Sequence, residues 1–378
     1  MTLAKKITLI ILSIIAIGTV SVTAFGMRVY LEAQRAMEKS YTPIATAAEA
    51  QAKVQRVQAT EPISILLMGL DTGGVGREEK FVGRSDTMMV VTINPTKEQT
   101  TIVSLDRDAL VSFGINEPIS IPDVGTLSTF SDKLNHTFAY GEAALTISTV
   151  EKLLDIDITY YAAMNFQGLS DLVDAVGGIH VNNKLGEFTV EDGPTYKVTV
   201  PAGEQVMSGK IALAYARMRY DDPEGDVGRQ RRQREVVEKI VDRLLSANTL
   251  TNFQNVFNAV SQNMITDVRF GTMTDIAESY RAAANNIKSY QLVGIGQQLN
   301  GTYFQILPAQ SILEISNVLR VQMHEPEITE LNPQILTWEN QMGFAAPVIF
   351  DITTGREKEV PLEIDNTSQR QQDVASGY

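Results

Sequence analysis

No cysteine occurs anywhere in the 378 residues. Disulfides, thiol nucleophiles and cysteine-based zinc sites are therefore excluded together, and a folded part must be held by its core alone. Positive charge is also scarce. Against 45 Asp and Glu stand 32 Lys and Arg, a formal net charge of −13, which argues against a nucleic-acid partner. The glycines of Gly73-Gly74-Val75-Gly76 are followed by no Gly-Lys-Ser/Thr, so a phosphate-cradling P-loop is excluded and a plain loop is the reading that remains. There is no internal repeat.

In so acidic a chain the arginines are unevenly spent. The stretch from Ala216 to Arg234 carries six: Arg217, Arg219, Arg229, Arg231, Arg232 and Arg234. Guanidinium groups suit bidentate recognition of phosphate or carboxylate. Helical periodicity after Gly228 sorts them by face. Gln233, Val237, Ile240, Val241 and Leu244 form one inward stripe, which Arg229 continues. Arg231 and Arg234 share a face with Glu238 and Asp242, an arrangement expected of solvated, ion-paired surface. Arg229 and Gln233 should thus form a polar pocket floor near a helix start, where free N–H groups favour an anion, with Asp226-Val227-Gly228 as the cap before it.

At the other end, Lys5-Lys6 precede an uncharged run from Ile7 to Met27. Its length suits a transmembrane helix, and it is longer than the apolar core of a cleavable signal peptide. The basic flank places residues 1–6 in the cytoplasm and the rest of the chain outside. Residues 28–61 read as a stalk. The globular part starts at Pro62 with the buried-strand run Ile63–Met68 and is read as a core to residue 250, completed by 251–330. Residues 331–378 form an extension whose polar end, Asp365 to Gln372, is expected to be disordered. Strand-like and helix-like segments alternate between these limits, with helical patterns at 142–154, 166–176, 208–216 and 229–245, which predicts a mixed α/β architecture.

Carboxylates cluster at predicted strand ends. The run 63–70 ends at Asp71. Met88–Ile93 and Thr100–Leu105 form a hairpin around Asn94-Pro95-Thr96-Lys97. With Ile93 facing Thr100, Asp86 falls opposite Arg107. Asp71 and Asp86, with no histidine close by, suit an oxygen-ligand site for a hard divalent cation held together with phosphate oxygens.

These blocks resemble the LytR-CpsA-Psr family of membrane-anchored cell-envelope phosphotransferases. The carriers run from Leu66-Leu67-Met68-Gly69-Leu70-Asp71 through Arg84-Ser85-Asp86-Thr87, Ser104-Leu105-Asp106-Arg107-Asp108 and Lys133-Leu134-Asn135. They continue through Leu172-Val173-Asp174-Ala175-Val176-Gly177-Gly178 and Ala214-Tyr215-Ala216-Arg217-Met218-Arg219 to Gly225-Asp226-Val227-Gly228-Arg229-Gln230-Arg231-Arg232-Gln233. The resemblance implies a mixed central β-sheet flanked by helices on both faces. It implies transfer of an anionic glycopolymer, such as teichoic acid or capsule, from a polyprenyl-pyrophosphate carrier to a peptidoglycan hydroxyl. Carried over by motif, Asp71 and Asp86 would hold Mg2+ (or Mn2+). Arg84, Arg107, Lys133, Arg217, Arg219, Arg229 and Gln233 would bind the pyrophosphate. The family pattern usually has proline where Asp106 stands, and Asn116 to Ser131 is unusual. A non-catalytic envelope regulator and a pyrophosphate-binding module without transfer are the competing readings.

Overall fold

A computed structural model describes residues 38–44, 47–72, 81, 83–121, 125–192, 196–244 and 259–359, with Arg28, Leu31, Gln34, Arg35 and Val256 besides. The expected membrane anchor at 7–27, the Gly73–Gly76 loop and the polar tail at 365–372 lie outside the described residues. Among those described, no helix is long and apolar enough to cross a membrane.

A helix α1 (Ala47–Gln58), within the segment read as a stalk, lies on the globular body. Its Val57 is buried with Ile63 and Tyr160, and Lys53 pairs with Asp267 at 2.8 Å. Then follow β1 (Ile63–Leu70), β2 (Ser85–Asn94), β3 (Gln99–Leu105), and a long hairpin of β4 (Leu110–Ile121) and β5 (Gly125–Lys133). The described residues of the unusual segment from Asn116 to Ser131 belong to these two strands. Helix α2 (His136–Leu154) is broken at Gly141 and Glu142, so its regular part starts where the periodicity placed a helix. Next come β6 (Tyr160–Asn165) and α3 (Phe166–Ala175), whose N-terminus is capped by Asn165 accepting from the Gly168 N–H at 2.9 Å. Four short strands, β7 (Ile179–Asn183), β8 (Phe188–Asp192), β9 (Tyr196–Val200) and β10 (Gly203–Met207), lead to α4 (Gly209–Arg217) and α5 (Gly225–Leu244). The remaining elements are β11 (Met264–Thr266), α6 (Phe270–Ser279), β12 (Ile287–Leu292), the hairpin β13 (Ile295–Leu299) and β14 (Thr302–Ile306), α7 (Ala309–Gln322), α8 (Trp338–Met342), and β15 (Val348–Phe350) paired with β16 (Glu357–Glu359).

The central sheet has the order β11-β6-β1-β2-β3-β12. It is mixed: β1 runs antiparallel to β2 and parallel to β6, while β3 runs parallel to β12. Strand alternation divides the apolar residues between two faces. Leu66, Met68, Val90 and Val103 pack with Val150 and Leu154 of α2 and Ile315 and Leu319 of α7. Met89, Val91 and Ile102 face the other way, against Val237 of α5, with α1 and α6 covering the far part of that face. Both sides are buried, which explains why the central strands read as near-continuous apolar runs. A second core joins α3, β7–β10, α4 and α5, built on Val173, Val181, Tyr215 and Ile240. Helix α5 therefore lies between two packed bodies, and more than one of its faces is covered.

Candidate active site

The hairpin register is the expected one: Ile93 pairs with Thr100 and Met88 with Leu105. Extending it past the last pair brings Asp86 and Arg107 together, and Arg107 Nη1 donates to Asp86 Oδ2 at 2.7 Å. Backbone bonds stitch three segments into one frame here. Asp71 N–H donates to the Arg84 carbonyl at 3.2 Å, Ser85 N–H to that of Asn135 at 3.3 Å, and Asn135 N–H to that of Arg107 at 3.0 Å. Asn135 Nδ2 donates to Asp86 Oδ1 at 2.8 Å. Asp108 lies 3.5 Å from Arg107 Nε and 2.8 Å from Lys133 Nζ, so Lys133 joins the cluster through a carboxylate that the motif reading assigned no role. Burial lowers the basicity of Arg107, but Asp86, Asp226, Asp108 and Asp106 outweigh it and hold its pKa above the ordinary value. Its charge is permanent.

Helix α5 closes the site from above. It starts at Gly225, a turn earlier than the periodicity suggested, so Asp226 lies inside the first turn and reaches Arg229 Nη2 at 2.7 Å. The same carboxylate takes Arg219 Nε at 3.6 Å and Gln230 Nε2 at 3.2 Å. Burial depresses the Arg229 pKa, opposed by Asp226 and reinforced by Arg107, so two cations are held close together. One small pocket is lined by Asp86, Ser104, Arg107, Arg229 and Gln233. Gln233 Nε2 also lies 3.5 Å from the Ala216 carbonyl, which brings the end of α4 alongside. There Arg217 lies over the Phe166 ring at 4.4 Å and the Tyr196 ring at 5.4 Å, an arrangement that fixes the plane of the guanidinium. The Phe166 N–H bonds the Thr72 carbonyl at 3.3 Å, which ties this corner to the Asp71 strand end. Asp71 is partly buried and Arg84 exposed.

Two expectations fail. Arg234 is not solvated: it is buried, donating from Nη1 to Ser104 Oγ at 2.9 Å and from Nη2 to Gln291 Oε1 at 3.1 Å. Burial lowers its pKa to about 10, and it remains cationic at neutral pH. Glu238, expected on the same wet face, instead accepts from Ser289. The reason is that β12 covers this flank, and nothing in the helix's own periodicity could reveal a strand some 50 residues later. Arg231 does lie at the surface, paired with Glu224.

Arg232, which the motif reading gave no part, is buried and ion-paired to Asp222, with bonds to the Tyr215 and Met218 carbonyls. It anchors the turn that carries Arg219. Gly228, one helical turn before Arg232, is the signal that was available: a side chain there would collide with the Asp222 carboxylate. Asp106, in the position the family usually gives to proline, is buried rather than solvent-facing. It accepts from the Asp108 N–H at 2.9 Å, and burial, aided by the nearby Asp226, raises its pKa to about 7. It dilutes the positive charge of the site above neutral pH.

The donor chemistry fits a hard cation. Asp86 has one hydrogen bond on each oxygen and keeps a lone pair on each. Asn135 Oδ1 beside it is buried without a hydrogen-bond partner, and Asp71 sits at the adjacent strand end. No group of three or more His, Asp or Glu side chains suited to a metal occurs among the described residues. This donor set therefore suits a cation such as Mg2+, which takes one or two carboxylates and completes its shell with water and substrate phosphate.

The chain matches the LytR_cpsA_psr family over residues 27–321. It is 42% identical to a polyisoprenyl-teichoic acid–peptidoglycan teichoic acid transferase TagU of Enterococcus faecalis, across 86% of this chain and 99% of that one. It is 35% identical to biofilm regulatory protein A of Streptococcus mutans, across 85% and 78%. Among solved structures, protein gbs0355 of Streptococcus agalactiae superposes with a TM-score of 0.69 at 39% identity, covering 76% of this chain and 97% of that one.

Proposed function

From the premise that this chain belongs to the LytR_cpsA_psr family, we propose that it is a phosphotransferase moving an anionic glycopolymer, teichoic acid or a capsule-like polysaccharide, from a polyprenyl-pyrophosphate carrier to peptidoglycan. The observation that carries this reading is the pocket where Asp86, Arg107, Arg229 and Gln233 converge. It gathers one buried and one half-buried guanidinium and an oxygen donor set, the requirement for gripping a pyrophosphate.

In the reaction the oxygen of a peptidoglycan hydroxyl attacks the phosphorus that bears the glycan. The bond from that phosphorus to the bridging oxygen breaks, polyprenyl monophosphate departs, and the hydroxyl proton passes to solvent. Phosphoryl transfer needs positioning and charge neutralisation more than covalent help. Arg107 and Arg229, each already oriented by a carboxylate, are placed to receive the charge that develops on the phosphoryl and bridging oxygens. Arg217, Arg219, Arg84 and Lys133 extend the clamp to the rest of the pyrophosphate, and Gln233 adds a neutral donor. Asp71 and Asp86 would hold Mg2+ or Mn2+, which supplies further neutralisation when bound.

The test is transfer of labelled glycopolymer from a polyprenyl-pyrophosphate analogue to peptidoglycan oligomers by the purified chain. Labelled peptidoglycan phosphodiester is the expected product. Tight binding of the lipid without transfer would favour the binding-module reading, and neither binding nor transfer the regulator. The same proposal places the chain in the cell membrane, spanning once through residues 7–27 with the catalytic part outside. Protease added to intact protoplasts is then expected to digest the globular part, and complete protection would reject that topology.

A further inference from the structure

The β13–β14 hairpin forms a wall of the site to which no motif assigns a role. It is pinned to the Asp106–Asp108 turn: the Gln305 N–H donates to the Asp108 carbonyl at 2.9 Å, and Ala109 bridges to Gln305. Lys133 Nζ, ion-paired to Asp108, lies 5.9 Å from the centre of the Tyr303 ring. Strand alternation separates Tyr303 from its neighbour. Phe304 is buried in a cluster with Leu110, Ile306 and Trp338, whereas Tyr303 points to the opposite side and is 40% exposed.

The ring is held at a defined angle. A Cβ at Gly296 would lie 2.5 Å from Tyr303 Oη and 3.0 Å from Cε2. The ring is thus laid across the neighbouring strand, in space that only a glycine leaves open. Gln305 Nε2 donates to Oη at 2.8 Å. Fixed at its tip and with Lys133 over it at 5.9 Å, the ring is pre-oriented and keeps part of its surface open to solvent. Through Lys133 and its partner Asp108 the ring borders the phosphate-binding cluster, and burial together with the carboxylates of Asp106, Asp108 and Asp226 raises the pKa of its hydroxyl.

A fixed aromatic plane at the edge of such a cluster offers an apolar surface next to groups that hold charge. The C–H face of a pyranose ring has complementary shape and polarity. We propose that Tyr303 is a carbohydrate-stacking residue that seats a sugar ring adjacent to the reacting phosphoryl group. The inference rests on the function proposed above for the identity of that group. Two sources supply such a ring: the sugar carried on the donor pyrophosphate, or the peptidoglycan sugar that bears the attacking hydroxyl.

The experiment uses the full chain in detergent with Tyr303→Ala, Tyr303→Leu and Tyr303→Phe. KM is measured separately for the glycan-bearing donor and the peptidoglycan fragment. Calorimetry gives the affinity for polyprenyl pyrophosphate that carries no sugar. Loss of the ring in the Ala and Leu variants is expected to raise KM for one sugar-bearing substrate by about three- to tenfold, and which substrate responds identifies the source. Tyr303→Phe keeps the ring and should stay within about twofold of the wild type, with affinity for the sugar-free lipid little changed by any variant. Unchanged KM for both substrates overturns the proposal, as does an equal loss for the sugar-free lipid, which would make Tyr303 only a support for Lys133. If the wild-type chain transfers nothing, the function proposal fails by itself. The stacking is then judged by calorimetric binding of a muramyl saccharide and of a sugar-bearing polyprenyl pyrophosphate, where equal affinity of the wild type and Tyr303→Ala for both overturns it.

Discussion

Asp86→Ala is expected to reduce transfer to background, a loss of at least about a hundredfold, and added Mg2+ should not restore it. The carboxylate has two jobs that one truncation removes together. It is a donor of the proposed cation site, and it is the anion that orients Arg107 Nη1 at 2.7 Å. Removing an oriented charge contact from a phosphoryl-transfer site costs on the order of a few kcal/mol at the transition state. Losing the cation removes charge neutralisation besides. Asp71→Ala should lose activity comparably through the cation site, while the Asp86–Arg107 pair stays in place. The difference can be measured. Weaker metal dependence with retained lipid binding is expected for Asp71→Ala, whereas Asp86→Ala should lose both. Turnover measured across a Mg2+ titration, with thermal melting to confirm folding, separates the cases. Undiminished activity in both variants would show that these carboxylates are structural.

The parts of this site visible in the sequence are those fixed by local geometry. The Asp86–Arg107 pair follows from a tight turn and strand periodicity, because a hairpin register depends only on residues within about a dozen positions. Strand β1 could be read end to end because both of its faces are covered, leaving an apolar run broken only by Ser64 and Gly69. The inward orientation of Arg229 and Gln233 followed from the helical repeat in the same way. What could not be read depends on distant partners. Arg234 is buried because Gln291 of β12 arrives beside it, and the contact of Lys133, a residue the motif resemblance had named, with Asp108 exists because β5 places it there. Tyr303 gains its position from Gly296, which the sequence shows only as one more glycine. Periodicity identifies the apolar face of a helix. It does not reveal whether a second face will also be covered.

That distinction is tested by the arginines of α5. Arg229→Ala is expected to cut transfer by on the order of a hundredfold or more, because the buried guanidinium is aimed at developing charge and cannot be replaced by water at the same position. Arg231→Ala should change activity little. Its side chain is 48% exposed and pairs with Glu224 at the surface, and exposed pairs contribute about 0–1 kcal/mol. Arg234→Ala should behave unlike either. It leaves Ser104 Oγ and Gln291 Oε1 without their buried donor, which costs about 1–3 kcal/mol of stability, so the melting temperature should fall while the folded fraction retains transfer. Arg217→Ala should resemble Arg229→Ala, since the Phe166 and Tyr196 rings hold that guanidinium in a fixed orientation beside the site. Arg219→Ala should have a smaller effect, because its side chain is 42% exposed and lies 3.6 Å from Asp226. The measurement is initial transfer rate normalised to folded protein, with thermal melts in parallel. Equal rate losses at Arg229 and Arg231 would mean that the cluster attracts its substrate as a diffuse basic patch. The pocket between the β2–β3 strand ends and α5 would then not be where the pyrophosphate reacts.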